Sequence, residues 1–131
     1  MKEIIFSTKK KVEIIDITEE VEKVIPNIKE GYCLVFAPHA TAAILLQENE
    51  SGLIKDICNK VQDLFYGDIY LHNKIDNNAA AHIASALIGA SKVIPIKDGK
   101  LVRGTWQNIL FLELDGPRSK RRVVITVIES K

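Results

Sequence analysis

The chain has little sulfur chemistry and no long apolar run. Its two cysteines, Cys33 and Cys58, lie far apart in apolar surroundings, and neither belongs to a Cys-x-x-Cys pair of the kind that binds zinc or cycles a disulfide. They read as small buried hydrophobes. No stretch approaches the ~18 consecutive apolar residues of a membrane helix. Met1-Lys2-Glu3-Ile4-Ile5 lacks the layout of a signal peptide, so a cytoplasmic location is expected, with no membrane partner. Excess charge is missing too: 18 basic against 17 acidic side chains leave a net charge of +1, which excludes the basic footprint of a non-specific nucleic-acid binder. Internal repeats, linkers, low-complexity tracts and the His-Glu-x-x-His spacing are all absent. Histidine is scarce, at three residues, and tryptophan occurs once.

What is present is a core. Hydrophobic residues make up 47% of 131, enough to fold without disulfides or metal, and a single domain over residues 1–131 is expected. Glu3 to Ser7 and Lys11 to Ile17 pattern as two strands joined by a turn at Lys9-Lys10. Asp16, with Glu19 three residues on, predicts a capped short helix that Pro26 and Asn27 help stop. Tyr32 to Ala37 and Ala42 to Leu46 are apolar strands. From Glu50 to Phe65, Leu53, Ile54, Ile57, Cys58, Val61, Leu64 and Phe65 recur at helical spacing up to Gly67. Leu71 to Asn77 reads as a loop. Asn78 caps a helix over Ala79 to Leu87, closed by Gly89. Lys92 to Ile96 and Lys100 to Val102 flank Asp98-Gly99, a hairpin signal. Ile109 to Leu114 and Arg122 to Ile128 flank a second turn at Asp115-Gly116-Pro117-Arg118. Such mixing predicts an α+β fold, a compact and largely antiparallel β-sandwich with two to three helices.

The histidines carry the functional reading. His39, His72 and His82 each sit at a boundary between a regular element and a turn. If those boundaries meet, three imidazoles converge, and imidazole is the commonest transition-metal ligand. A divalent metal, zinc above all, is the cofactor this would hold. Asp76, between His72 and His82, is a further ligand, an orienter or a base. Glu48, at the end of an apolar strand, is a general base or ligand, while neighbouring Glu50 reads as a residue of a helix N-terminus. Trp106 offers a flat face for a ring, with Thr105 and Gln107 as polar contacts. The basic group Arg118, Lys120, Arg121 and Arg122 reads as a solvated turn, from which an arginine entering the strand could bind a phosphate bidentately.

The block Ser91-Lys92-Val93-Ile94-Pro95-Ile96-Lys97-Asp98-Gly99-Lys100-Leu101-Val102-Arg103-Gly104-Thr105-Trp106-Gln107-Asn108-Ile109 closely resembles the signature of the YjbQ-like family. Pro38-His39-Ala40-Thr41-Ala42, Asn49, Ala81-His82-Ile83 and the arginine-rich turn extend the resemblance over nearly the whole chain. It implies a homotrimer, and a cleft whose histidines hold a metal or an anion. It also implies a thiamine phosphate synthase activity: a pyrimidine methyl diphosphate is joined to a thiazole phosphate and pyrophosphate leaves. By position, His39, His72 and His82 match the family histidines, Glu48 and Asn49 its acidic-amide pair, and Trp106 and Gln107 its Thr-Trp-Gln segment. The usual His-Thr-Ser-Ala is here His39-Ala40-Thr41-Ala42, and Asn-Glu-Asn is Gln47-Glu48-Asn49. The expected site is therefore Glu48 and Asp76 as catalytic groups and His39, His72 and His82 on the metal. Thr41, Asn49, Asn78, Thr105, Trp106, Gln107 and Arg121 are expected on a small phosphorylated substrate. Two other functions fit the same residues, a metal-dependent hydrolase of small phosphate esters and a non-catalytic trimer that binds an anion or metabolite.

Overall fold

Asn108–Glu113 explains the layering of the molecule. Its run Ile109-Leu110-Phe111-Leu112 is apolar at every position, the pattern of a strand covered on both faces, and all four side chains are fully buried. In the computed structural model, which describes residues 1–131, this strand is the seventh of eight. The order is β1 (Lys2–Phe6), β2 (Glu13–Asp16), α1 (Thr18–Lys23), β3 (Glu30–Phe36), β4 (Ala42–Gln47), α2 (Ser51–Phe65), a 3-10 turn (Leu71–Lys74), α3 (Ala79–Ile88), β5 (Ser91–Lys97), β6 (Lys100–Leu101), β7 (Asn108–Glu113) and β8 (Arg121–Glu129). The class is α+β, with three helices and two antiparallel sheets, ordered β1-β8-β3-β5-β6 and β2-β7-β4.

Two cores follow from the alternation along β7. Ile109 and Phe111 face the five-stranded sheet and pack with Ile44, Cys33, Val35, Ile94, Val123 and Ile125. Leu112 faces the other way and packs with Ala43, Leu114, Val61 of α2, and Ala81 and Ala84 of α3. The three-stranded sheet is thus the middle of three layers. No helix is long and apolar enough to cross a membrane. Cys33 lies in the first core, where burial pushes its thiol up to about 11; Cys58 is partly buried on α2.

The strongest local signals hold. Asp98 and Gly99 have φ of +53° and +76°, a tight turn of the type that the Asp-Gly pair favours, and β5 pairs with β6 across it. Glu50 accepts the backbone N–H groups of Gly52 and Leu53 at the start of α2, which hold its carboxyl below the usual range. At the two other expected turns the flanking strands do not pair with each other. β1 pairs with β8, while β2 pairs with β7 in the other sheet. The turn after β7 likewise leads to β8, which pairs with β1 and β3. Turn residues bend the chain but do not choose a partner, and both segments carry it from one sheet to the other. Leu71–Lys74 forms a 3-10 turn within the expected loop. Asn78 occupies the N-cap position of α3 but makes no side-chain cap bond; Asn73 Oδ1 accepts the Ala79 N–H at 3.1 Å instead.

Candidate functional site

Polar residues gather at the two ends of β7. The Glu113 end is buried and internally connected. Glu113 and Arg121 both point inward and close this end of the space between the sheets. Arg121 Nε donates to Glu113 Oε1 at 2.8 Å, and a terminal nitrogen donates to Glu113 Oε2 and, at 2.9 Å, to Thr41 Oγ1. Thr8 Oγ1 donates to Glu113 Oε1 at 2.8 Å. Oε2 also accepts the Leu114 and Asp115 N–H groups, each at 3.0 Å. Burial alone would raise this carboxyl, but the bonds from Arg121, Asp115 and Thr8 and the guanidinium charge outweigh it and hold the pKa below the ordinary value. Arg121, expected on substrate, therefore commits Nε and one terminal nitrogen to Glu113 and Thr41, and the Thr41 hydroxyl, also expected there, accepts one of those bonds.

Asp115 is fixed by that network and passes the order outward. Its Oδ2 accepts from Asn78 Nδ2 at 2.9 Å and from Arg118 at 2.8 Å, and its Oδ1 from Lys11 at 3.0 Å. Burial opposes ionisation here too, and bonds from Asn78, Lys11 and Arg118 overcome it, leaving the pKa low. An ionised carboxylate only accepts, so the Asn78 amide must present its nitrogen to Asp115. That turns Asn78 Oδ1 toward His72 Nε2, 2.9 Å away. Nε2 must then carry the proton. In the neutral ring, Nδ1 is left as the basic nitrogen. This is the logic of a carboxylate that orients a histidine, with an amide between the two.

His82, on α3, stands edge-to-face with His72, ring centroids 4.8 Å apart. Both rings line a cavity of about 530 Å³ whose other walls are Ile69, Tyr70, Leu71, Ala79 and Ile83. His39 is at the same end of the sheets but elsewhere. Its Nε2 lies 3.1 Å from both the backbone N and O of Arg122, and its ring meets the edge of Phe111 at 6.5 Å. Burial, then the Arg121 charge, lower its pKa. Within the chain, the fold brings two of the three imidazoles together, and no group of three or more His, Cys, Asp or Glu side chains is arranged to hold a metal. Asp76 is exposed, and its carboxylate makes no protein hydrogen bond.

The remaining expected residues lie at the Asn108 end, a strand length of roughly 17 Å away. Gln47 pairs with Asn108 in register, so Glu48 and Asn49 follow at this end; Asn49 Nδ2 donates to Asp16 Oδ2 at 2.9 Å. Gln107 Oε1 accepts the Gly104 N–H at 2.7 Å, shaping the loop that leaves Trp106 69% exposed. Beside it is a wholly polar hollow of about 410 Å³ that includes Asp16, Glu19, Glu22 and Arg103. Glu113, Asp115 and Lys11 went unnoticed in the sequence. The available signal was a carboxylate ending an otherwise apolar strand, since a buried charge requires partners.

The chain matches the family described as UPF0047 protein YjbQ-like over residues 2–130. A UPF0047 protein of Archaeoglobus fulgidus is 47% identical over 123 residues, 93% of this chain and 97% of that one. The UPF0047 protein YugU of Bacillus subtilis is 37% identical, covering 92% and 93%. Among solved structures, a YbjQ-like protein of unknown function from Sulfolobus solfataricus superposes with a TM-score of 0.96 at 44% identity, covering 98% and 96%.

Proposed function

This chain belongs to the YjbQ-like UPF0047 family, and from that premise we propose that it is an enzyme acting on a small phosphorylated molecule at the His72–His82 pair. The observation that carries the reading is the relay Glu113–Asp115–Asn78–His72, which ends on an imidazole of defined tautomer at a cavity. Proton transfer and metal ligation both require a ring nitrogen with a free lone pair, and this arrangement leaves one at Nδ1.

The reaction we assign is the joining of a pyrimidine methyl diphosphate to a thiazole phosphate with release of pyrophosphate, the transferase chemistry implied by the resemblance. A zinc-like divalent ion bound here would be held by His72 and His82. Such an ion would supply charge neutralisation at the leaving diphosphate. Lys11, paired with Asp115 on one side and exposed on the other, adds positive charge in the hollow that adjoins this cavity at Tyr70 and Ala79. With no metal bound, His72 would instead act as a proton acceptor through Nδ1.

The reading includes assembly as a homotrimer. The outer face of the five-stranded sheet carries exposed Ile5, Tyr32, Phe36, Val93 and Ile128, an apolar surface of the kind that associating subunits cover. Size-exclusion chromatography with light scattering checks this; a monomer at all concentrations removes it.

The activity test supplies both substrates with magnesium, manganese or zinc and follows product and pyrophosphate. Product formation that His72→Ala abolishes is expected. A folded protein that forms no product under any metal condition overturns the transferase assignment. If it instead hydrolyses simple phosphate esters in a His72-dependent way, the site is that of a hydrolase.

A further inference from the structure

The two imidazoles of the candidate site are held in different ways. His82 is carried by α3, which is built into the body of the protein. Ala81 and Ala84 of that helix pack in the second core, and Ser85 Oγ donates to the Ala42 carbonyl of β4 at 2.7 Å. His72 is carried by the strap of residues 67–77 between α2 and α3. Every backbone-to-backbone hydrogen bond of this strap stays within it or reaches Asn78. Its aliphatic side chains add no packing, because Ile69, Leu71 and Ile75 all stand out in solvent. Only Tyr70, His72 and Asn73 are partly covered, and each makes one hydrogen bond beyond the strap. The Tyr70 hydroxyl donates to the Phe65 carbonyl of α2 at 2.7 Å. His72 Nε2 meets Asn78 Oδ1 at 2.9 Å. Asn73 Oδ1 accepts the Ala79 N–H of α3 at 3.1 Å.

The last of these bonds has two consequences. Asn78 stands at the N-cap of α3, but its amide is committed to Asp115 and His72, so the buried Ala79 N–H lacks its usual partner at a helix start. Asn73 supplies the acceptor. Because Asn73 follows His72 directly in the chain, the same bond fixes the backbone from which the imidazole projects. We propose that Asn73 is a positioning residue of the site, whose side-chain oxygen latches the strap to the first turn of α3 and so sets His72 against His82. The inference rests on the proposed function only in taking this pair as the reacting centre. Two fixed points are needed for a physical reason. The bond to Asn78 holds one atom at the tip of the ring and leaves the ring free to swing about it as the strap moves. Keeping the rings edge-to-face at 4.8 Å requires a second fixed point on the main chain beside His72. Tyr70 ties the strap to α2, on the side away from His82, and does not provide that point.

The test compares Asn73→Ala, Asn73→Asp and Tyr70→Phe in the full chain, first without metal or substrate. Alanine removes the acceptor, aspartate keeps it and is as good a helix cap, and Tyr70→Phe cuts the tie to α2 instead. Two readouts are followed: cross-relaxation between the ring protons of His72 and His82, and amide hydrogen exchange through the strap and α3. Asn73→Ala is expected to abolish the ring-to-ring signal. It should also speed exchange at Asn73, Ile75 and Asp76, whose N–H groups bond within the strap, by at least about tenfold, while α3 beyond its first turn keeps the parent rates. Asn73→Asp is expected to restore both readouts, and Tyr70→Phe to leave the ring contact in place. Should Asn73→Ala fail to fold, Asn73→Gln, which moves the oxygen one carbon along, carries the same expectations. A zinc titration then links the latch to the site, with binding about tenfold weaker in Asn73→Ala and regained in Asn73→Asp. Each of the following overturns the proposal: a ring contact that survives Asn73→Ala, a contact that aspartate does not restore, Tyr70→Phe disrupting the contact as fully as Asn73→Ala, or zinc held as tightly by Asn73→Ala as by the parent. Faster exchange throughout α3 with the rings still in contact also overturns it, and reduces Asn73 to a helix cap. A parent that binds no zinc and forms no product loses the proposed function, while the ring contact and the exchange rates still decide the latch.

Discussion

The two ends of β7 hold similar numbers of polar side chains in opposite physical states. At the Glu113 end, Glu113, Arg121, Thr41 and Thr8 are almost wholly excluded from solvent and bonded to one another, and the order extends through Asp115 and Asn78 to His72. At the Asn108 end, Asn49, Thr105, Trp106 and Gln107 are exposed, and their contacts with Asp16 and Gly104 shape loops. Both ends match segments of the family pattern. Only the first can orient a ring that faces a cavity and choose its tautomer, because a hydrogen bond shielded from water specifies geometry that a solvated one does not.

The contrast yields a ranked set of expected effects. The largest is on stability. Arg121→Met leaves Glu113 charged, buried and short of two donors, and should cost about 3–5 kcal/mol; Trp106→Ala, at an exposed loop position, should stay within about 0.5 kcal/mol. Urea denaturation of both variants checks this, and equal losses would erase the distinction between the ends. Next comes activity. His72→Ala should lower turnover by about 10²–10⁴-fold, the range of a lost proton-transfer group, with a melting temperature close to that of the parent. Asn78→Ala should be milder, about 10–100-fold in metal affinity or turnover, as for other groups that orient a ligating histidine; zinc titration and steady-state rates measure it.

The smallest expected effect is a pH dependence. The folded protein lowers the pKa of His39 through burial and the Arg121 charge. Between the folded and unfolded values, the unfolded chain therefore binds more protons, so stability rises with pH there. His39 contributes fully above its unfolded value of about 6.5, and the contribution is lost as pH falls through the lower folded pKa. Glu113 and Asp115 are also lowered and add their own loss only in the acid range, below about pH 4. Melting temperature followed from pH 7.5 downward should show the first decline near neutrality, and His39→Gln should flatten it while leaving the acid limb.

Much of the fold was legible because its signals are local. The helical spacing from Leu53 to Phe65 and the turn at Asp98-Gly99 each specify their own geometry. Pairing around Lys9-Lys10 and Asp115–Arg118 was not legible, since those strands find partners across the chain: Lys2 with Ile125, Glu13 with Glu113. Asn78 shows the same limit at one residue. Its position at the start of α3 was readable, but its side chain is claimed by Asp115 and His72 rather than by the helix end. For the candidate site, the sequence singled out the three histidines. It could not tell that His39 turns to Arg122 while His72 and His82 meet, nor that Glu48, Asn49 and Trp106 fall a strand length away. Asp115 was hidden for another reason: an Asp-Gly-Pro turn already accounts for it, and only tertiary structure reveals a second role.

The most direct test of the central claim reads the protons on His72. Long-range ¹H–¹⁵N spectra at a pH where the ring is neutral distinguish its two tautomers. The relay predicts Nε2 protonated and Nδ1 bare in the parent protein, with the preference lost in Asn78→Ala. A ring protonated on Nδ1, or an unchanged tautomer in Asn78→Ala, would mean that Asp115 and Asn78 do not set the state of His72, and that the buried end of β7 is architecture without control over the site.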